Sequence, residues 1–444
     1  MELPLLAMEK SQIVGEIPFD TDLLNRRELA KKLTSYIERL RTGAVLAIDA
    51  PWGDGKTWFG KNWAKQLKDD GYSVAYIDAF EQDYIDDPFI LLASELLDIV
   101  KDKSQSKMKL TKKATNVVKA TASISAKVGM GLITKYALGG VDLGDEIEGA
   151  ISEASKDAAN KSSKWIEESF KKHSENKKSI TEFKKELEKY ATSQDKPIII
   201  FIDELDRCKP DFSISLIERI KHFFDVPNVV FVLLLNREQL EKAIKGVYGV
   251  ETDASAYLGK FINFFFNLPK VDSADTNRRR IRNFIKHSIV KYRFPDNVNL
   301  AISDFEMYIF SFNLSLRDIE KAIALYAFAQ PYDRMSTSYI LIYMIVLKLK
   351  EPSLFKRMML SDIEAHKEMR DKINEFKERT KVNDKVEEVW FNLFYLWHDA
   401  YVRRDFTDFT AFMYNNHGIN QPFRYIEPQN IFTYFGEKID LSIE

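Results

Sequence analysis

A single cysteine, Cys208, stands among the 444 residues, which excludes an intramolecular disulfide framework and a cysteine-built zinc site and fits a reducing compartment. Net charge is nearly absent as well, since 65 basic side chains against 67 acidic ones leave −2. No attraction to nucleic acid or anionic lipid therefore acts over the whole chain, and any such contact has to be local. Histidine is scarce and scattered, at 173, 222, 287, 366, 398 and 417, without the close spacing that sets two metal ligands on one helix face. The opening MELPLLAMEK has Glu2 where a secretory signal carries basic charge, and its apolar stretch ends too early for an h-region, so a cytoplasmic location is expected. With 45% hydrophobic and 30% charged residues the chain is neither disordered from end to end nor made of membrane spans. Its length suits roughly two or three domains.

What is present alternates. A helix-like stretch from Arg26 to Arg41 leads to a short apolar strand, Ala44 to Ile48, and then to Asp49-Ala50-Pro51-Trp52-Gly53-Asp54-Gly55-Lys56-Thr57. Helical periodicity follows from Trp58 to Leu67, a second strand from Ser73 to Ile77, and a helix from Pro88 to Val100. Strand chemistry returns at Pro197 to Ile202, with a helix from about Ser213 to Phe224, a strand from Val229 to Leu235, a helix from Arg237 to Tyr248 and a strand-like run from Ile262 to Leu268. Buried strands alternating with helices imply a parallel sheet covered on both faces. After Pro269 the pattern is helical almost to the end.

The expected architecture is thus α/β: a parallel-sheet core with a helical insertion and a helical lid and C-terminal region. The expected boundaries are 1–100 and 191–270 for the two parts of the core, 101–190 for the insertion, 271–350 for the lid and 351–444 for the C-terminal domain.

Hydrolysing a nucleotide needs backbone donors around the β-phosphate, a cation toward the γ-phosphate and a hydroxyl on magnesium. A strand followed by glycines, Lys and Thr at a helix N-terminus supplies all three. Gly53, Gly55, Lys56 and Thr57 fit those roles, with Ala50 where the pattern has its first glycine. The second element is Ile198-Ile199-Ile200-Phe201-Ile202-Asp203-Glu204, a strand delivering two carboxylates at its C-terminal edge, where ligands bind in such sheets. Asp203 is the candidate for the magnesium shell and Glu204 for polarising the attacking water.

These residues resemble the KAP-type P-loop NTPases, which belong to the division with an extra strand between the two Walker motifs. The resemblance rests on Trp52 to Thr57, on Phe80-Glu81 before Tyr84-Ile85-Asp86-Asp87-Pro88, and on Asp203-Glu204-Leu205-Asp206-Arg207-Cys208-Lys209-Pro210. It continues in Leu235-Asn236-Arg237-Glu238-Gln239-Leu240 and in Tyr257-Leu258-Gly259-Lys260-Phe261 before Leu268-Pro269, and it covers about residues 16 to 330. It implies ATP and Mg2+ as ligands, with Trp52, Gly53, Asp54, Gly55, Lys56, Thr57 and Trp58 around the nucleotide, Thr57 and Asp203 on the metal, and Glu204 and Lys56 in the chemistry. Asn236 takes the place of a sensor, where many members have aspartate, and Glu204 stands where many have a second aspartate. The stretch Asp22 to Arg27, with Arg26, looks like the segment that packs over the base; an ordinary helix cap and first turn is the other reading. In bacteria the resemblance implies accessory or defence-related switching ATPases, several connected with exclusion of phage; a nucleotide-gated scaffold with negligible hydrolysis and a nucleic-acid-stimulated ATPase are the other readings.

The phosphate loop holds no arginine close to Lys56. A charge-stabilising arginine is sought at Arg207, Arg237 or Arg317, the last in cis and the others across the interface of a homo-oligomer. The insertion opens with Lys101 to Lys113, six lysines against one aspartate, and continues in a small-residue segment from Ala114 to Gly140. Lys119, Lys127 and Lys135 interrupt that segment too often for a membrane span. A protein partner or self-association through 101–190 or the C-terminal region, peripheral contact with an anionic membrane face, and a plain solvated hairpin all remain open. Arg278, Arg279, Arg280, Arg282 and Lys286 offer phosphate contacts to nucleic acid, against the blander reading of a solvated helix face. Trp390, Phe394, Tyr395 and Trp397 at helical spacing read as core, and Cys208 as packing.

Overall fold

The computed structural model describes residues 14–40, 42–85, 87–100, 105–121, 163–223, 225–269, 275–292, 298–329, 338–380, 385–417 and 427–439. Contacts divide the chain into two compact units, residues 1–51 with 56–269, and residues 52–55 with 270–444.

In the first unit the elements run α1 (Arg27–Ile37), β1 (Ala44–Asp49), α2 (Lys56–Asp69), β2 (Ser73–Asp78), α3 (Pro88–Ile99), α4 (Gln105–Thr121) and α5 (Ser163–Thr192). They continue with β3 (Ile198–Asp203), α6 (Pro210–Ile220), β4 (Val229–Leu235), α7 (Arg237–Tyr248), α8 (Ala254–Leu258) and β5 (Phe264–Asn267). The five strands form one sheet in the order β2-β3-β4-β1-β5, and every pairing is parallel. β4 therefore lies between β1 and β3, the extra strand that the resemblance implied.

Alternation along each strand decides which face a residue serves. Val45, Ala47, Ile200, Ile202, Phe231 and Leu233 face a cluster with α3 to α7, while Leu46, Ile48, Phe201, Val232 and Leu234 face α1 and α2. β3 and β4 are buried at every residue, which is why they read as continuous apolar runs. Helix starts follow their caps: the Asp87 carboxylate accepts from Phe89 N at 3.0 Å ahead of Pro88 in the first turn, and Asp253 accepts from Ala256 N at 2.9 Å.

The described ends of the expected insertion pack into the core cluster. Leu110, Ala114 and Val117 of α4 and Phe183, Leu187 and Ala191 of α5 are buried in the same cluster as the sheet, where Phe183 meets Phe89 edge-on at 5.3 Å. Helical amphipathicity at 110, 114 and 117 gives α4 an apolar stripe that has to be covered. Most of the small-residue segment, from 122 on, lies outside the described residues.

The second unit is helical: α9 (Asp275–Val290), α10 (Val298–Ser311), α11 (Leu316–Ala329), α12 (Ser338–Lys350), α13 (Pro352–Met359), α14 (Ile363–Thr380), α15 (Lys385–Arg403), α16 (Thr407–His417) and α17 (Ile431–Ile439). α12 is buried at every residue from Tyr339 to Leu347, as a helix apolar all round must be. Around it Tyr343 stacks on Phe394 at 4.0 Å and Trp397 on Phe409 at 6.0 Å. Phe394 and Trp397 are core, in line with their spacing. No described helix is long and apolar enough to cross a membrane.

Candidate nucleotide site

The turn from β1 to α2 carries the phosphate-loop residues. Gly53 and Gly55 both have positive φ, 87° and 75°, which an L side chain adopts only under strain. Ala50 is absent from the positive-φ residues and is buried, so alanine in place of the first glycine meets no backbone penalty. Its amide donates to Leu235 O at 3.2 Å. Lys56 is buried, and its Nζ donates to the carbonyls of Ala50 at 2.7 Å and Pro51 at 3.2 Å. The lysine thus ties the loop into a curl with its ammonium inside.

Residues 52–55 belong by their contacts to the second unit. The Gly53 carbonyl accepts from the backbone amide of Arg317 at 3.1 Å. A Cβ on Gly53 would lie 2.6 Å from Ser315 Oγ and 2.9 Å from Arg317 Cβ, so glycine is needed there for space as well as for φ. Arg317 itself opens α11, exposed, after a cap in which Ser315 Oγ accepts from Asp318 N at 3.2 Å.

Thr57 meets the carboxylate pair at the end of β3. Its hydroxyl donates to Glu204 Oε1 at 3.3 Å and also bonds Asp203. Asp203 is buried, with Oδ1 accepting from Glu204 N at 2.8 Å and Oδ2 from the Tyr76 hydroxyl at 2.7 Å. Burial pushes its carboxyl above the usual range, against the pull of the bonds from Tyr76 and Thr57. Glu204 follows in a left-handed conformation, φ 60° and ψ 21°, which costs a non-glycine residue about 1–2 kcal/mol. Its carboxylate is held by Arg207, whose Nε stands 2.5 Å from Oε2. Burial first, then the neighbouring Asp203 charge, raises the Glu204 pKa, while Arg207 lowers it.

The strand ends bring Lys56, Thr57, Asp203 and Glu204 together. Asn236 lies at the same sheet edge, one residue past β4, and its side-chain oxygen caps α7 by accepting from Gln239 N at 3.4 Å. Trp52 is exposed, Asp54 half-buried, and the half-buried Trp58 packs edge-on against Phe19 at 5.6 Å. Arg26 is buried at the start of α1, its amide held by Asp22 Oδ1 at 2.9 Å.

The three finger candidates are placed very differently. Arg207 pairs with Glu204 of its own chain, and Arg237 pairs with Glu241 at 2.8 Å while its guanidinium covers the Phe265 ring at 4.4 Å. Of the basic cluster on α9, Arg282 makes a bidentate pair with Glu306, both distances 2.7 Å, and Arg278 lies over Phe310 at 5.2 Å. Arg207, Arg237 and Arg282 are thus ion-paired within the chain. Among the described residues no cluster of three or more His, Cys, Asp or Glu side chains is suited to a metal.

Sequence reasoning missed Tyr76, Arg207 as a partner of Glu204, and Asp49, whose Oδ1 accepts from Arg237 N at 2.9 Å. Only the last had a local signal, as an acid at the end of a strand entering the glycine turn.

A parallel sheet with a lysine-bearing glycine turn after β1 and a carboxylate pair after a non-adjacent strand defines a nucleotide-binding P-loop protein. The chain belongs to the KAP family: the KAP family P-loop domain matches residues 26–332. A stretch of 98 residues is 28% identical to the phage T7 exclusion protein of Escherichia coli (strain K12), covering 22% of this chain and 13% of that protein. Another of 137 residues is 34% identical to an uncharacterized protein of Methanocaldococcus jannaschii, covering 29% of this chain and 64% of that one. The chain thus spans less than two thirds of either relative. Among solved structures it is similar to the Aeropyrum pernix ORC2 protein in ADPNP-ADP complexes, at 11% identity over 94% of each chain with a TM-score of 0.34.

Proposed function

We propose that this protein binds ATP with Mg2+ and hydrolyses it as a conformational switch. The observation that carries the reading is the junction of Thr57 with Asp203 and Glu204 beside the Lys56 loop. Thr57 and Asp203 offer hard oxygen donors of the kind Mg2+ takes from protein, one or two at a time alongside phosphate and water. When bound, the ion supplies charge neutralisation at the phosphates. The residues of the chain supply the rest. Loop amides and Lys56 hold the phosphates, Lys56 exchanging its carbonyl partners for phosphate oxygens. Glu204 accepts a hydrogen bond and then the proton from the water that attacks the γ-phosphorus, the bond to the β,γ-bridging oxygen breaks, and ADP and phosphate leave. Asn236 at the sheet edge bonds the γ-phosphate or its water, and Arg317 meets the developing charge in cis. Arg26, Trp52 and Asp54 belong to the surroundings of the nucleotide.

The test is Glu204→Gln, which keeps ATP binding and loses hydrolysis by about 10²-fold or more. Surviving turnover would move the base to Glu81. Asp203→Asn differs in losing the dependence on magnesium. Loss of ATP binding by neither Lys56→Ala nor Thr57→Ala would overturn the site.

ATP is proposed to stabilise a homo-oligomer, read by light scattering of Glu204→Gln with ATP and Mg2+, and what the switch moves is a protein partner reached through residues 101–190 or the C-terminal helices. The kinship with a phage exclusion protein supports a place in phage defence, tested by plating efficiency of phage on cells with wild-type or Lys56→Ala protein. An anionic-membrane contact is read by vesicle flotation at low salt.

A further inference from the structure

Tyr76 is outside every motif that named the site, yet its hydroxyl reaches Asp203 Oδ2 at 2.7 Å. The reach is built by three features of the first unit. The β2–β3 register sets Tyr76 opposite Phe201, two residues before Asp203 on the same face. The Tyr76 ring stacks on Phe201 at 5.7 Å and 19°, and Phe201 is in turn held edge-on by Trp63 of α2 at 5.2 Å. Helix α2 leaves room because residue 60 is glycine: a Cβ there would stand 2.1 Å from Leu234 Cδ1 and 3.2 Å from the Tyr76 hydroxyl.

The other oxygen of Asp203 accepts from Glu204 N at 2.8 Å. Tyr76 on one oxygen and Glu204 N on the other stop the carboxylate from turning about its last bond, and with the Thr57 bond counted the carboxylate still has a lone pair for a further partner. We propose that Tyr76 is a positioning residue for the cation site, fixing the orientation in which Asp203 presents its remaining lone pair. The inference rests on the reading of Asp203 as the carboxylate that serves the nucleotide-bound Mg2+. Donors behind a ligating carboxylate are worth about 10–100-fold in metal affinity in proteins generally.

Tyr76→Phe keeps the ring on Phe201 and removes only the donor. ATP binding is titrated calorimetrically against Mg2+, and Mn2+ bound to the protein–ATP complex is counted by electron paramagnetic resonance, for wild type, Tyr76→Phe and Tyr72→Phe. Tyr72 bonds Glu38 away from the site and serves as a control. The expected result is that Tyr76→Phe raises the half-saturating Mg2+ and Mn2+ concentrations about 10-fold, leaves ATP binding in chelator unchanged, and approaches wild-type kcat at saturating Mg2+, while Tyr72→Phe shifts none of these. Cation titrations of Tyr76→Phe that superpose on wild type overturn the inference. So does a variant whose thermal midpoint and metal-free ATP binding fall together, since that is a packing role. If wild-type ATP binding is indifferent to Mg2+ and Mn2+, the reading of Asp203 itself fails, and this is told apart from the other outcomes by the wild-type curve.

Discussion

Arg207 Nε stands 2.5 Å from Glu204 Oε2 within one chain, so the arginine nearest the carboxylate pair is already committed in cis. The pair is spaced three residues apart across the short 3-10 turn Leu205–Arg207, and the left-handed backbone at Glu204 turns its side chain back toward that arginine. Arg207→Ala is expected to keep ATP binding and to lower hydrolysis by about 10-fold or more, the loss usual for a hydrogen bond to a charged group. Mixing Arg207→Ala with Lys56→Ala subunits should restore nothing in a steady-state phosphate-release assay. Restored turnover would put Arg207 in a neighbour's site instead.

The loop gives a second expectation. Gly53→Ala has to place a methyl 2.6 Å from Ser315 Oγ at φ 87°, and both the contact and the backbone resist it. ATP affinity should fall at least 10-fold by calorimetry. Lys56→Ala should abolish measurable affinity and, with the lysine bonds to Ala50 and Pro51 gone, shift the thermal midpoint only slightly, because little apolar area is lost.

Deletions across the insertion should separate into two classes. Removing 122–162 and joining α4 to α5 by a flexible Gly/Ser linker leaves the buried stripe of α4 in place, and basal hydrolysis should stay near wild type while any partner interaction carried by that stretch is lost. Removing 101–140 takes Leu110, Ala114 and Val117 out of the core and should cost about 3 kcal/mol or more in urea unfolding.

A pH dependence follows from two buried histidines in the second unit. His366 Nδ1 and His398 Nδ1 are 2.9 Å apart, and His398 Nε2 is 2.6 Å from the Tyr343 hydroxyl. Burial holds His366 down from 6.5 to about 4 and His398 well below 6.5. Both are neutral in the folded state, whereas in the unfolded chain they take up protons below about 6.5. Their stabilisation is therefore fully present above pH 6.5 and is lost as pH falls toward 4. For His366 alone the loss amounts to about 3 kcal/mol. Urea midpoints measured from pH 7.5 down to 4.5 should fall, and His366→Phe should flatten the fall.

Much of the site was legible because its chemistry is local in sequence. The glycine turn with Lys56 and Thr57, the apolar run ending in Asp203 and Glu204, and the cap pair Asp87-Pro88 each sit within a few residues, where turn geometry and helix starts are decided by short-range sterics and hydrogen bonds. Strand ends drifted by a residue or two, since a buried strand and its entering loop share apolar composition.

Residues far apart in sequence were a different matter. That the strand beginning at Ser73 pairs with the one beginning at Ile198, in a register bringing Tyr76 within reach of Asp203, depends on strand order, and no pattern in either strand names its neighbour. Lysine-rich composition marked the start of a helical insertion, and packing alone decided that Leu110, Ala114 and Val117 of α4 join the core cluster. The sequence by itself determined the element types and the glycine turn with Lys56 and Thr57 that makes the candidate phosphate loop, because periodicity and turn chemistry act over a few residues. Only the tertiary structure decided the partners of Asp203 and Glu204 and the neutral pairing of His366 with His398, because those depend on which distant segments exclude water from one another.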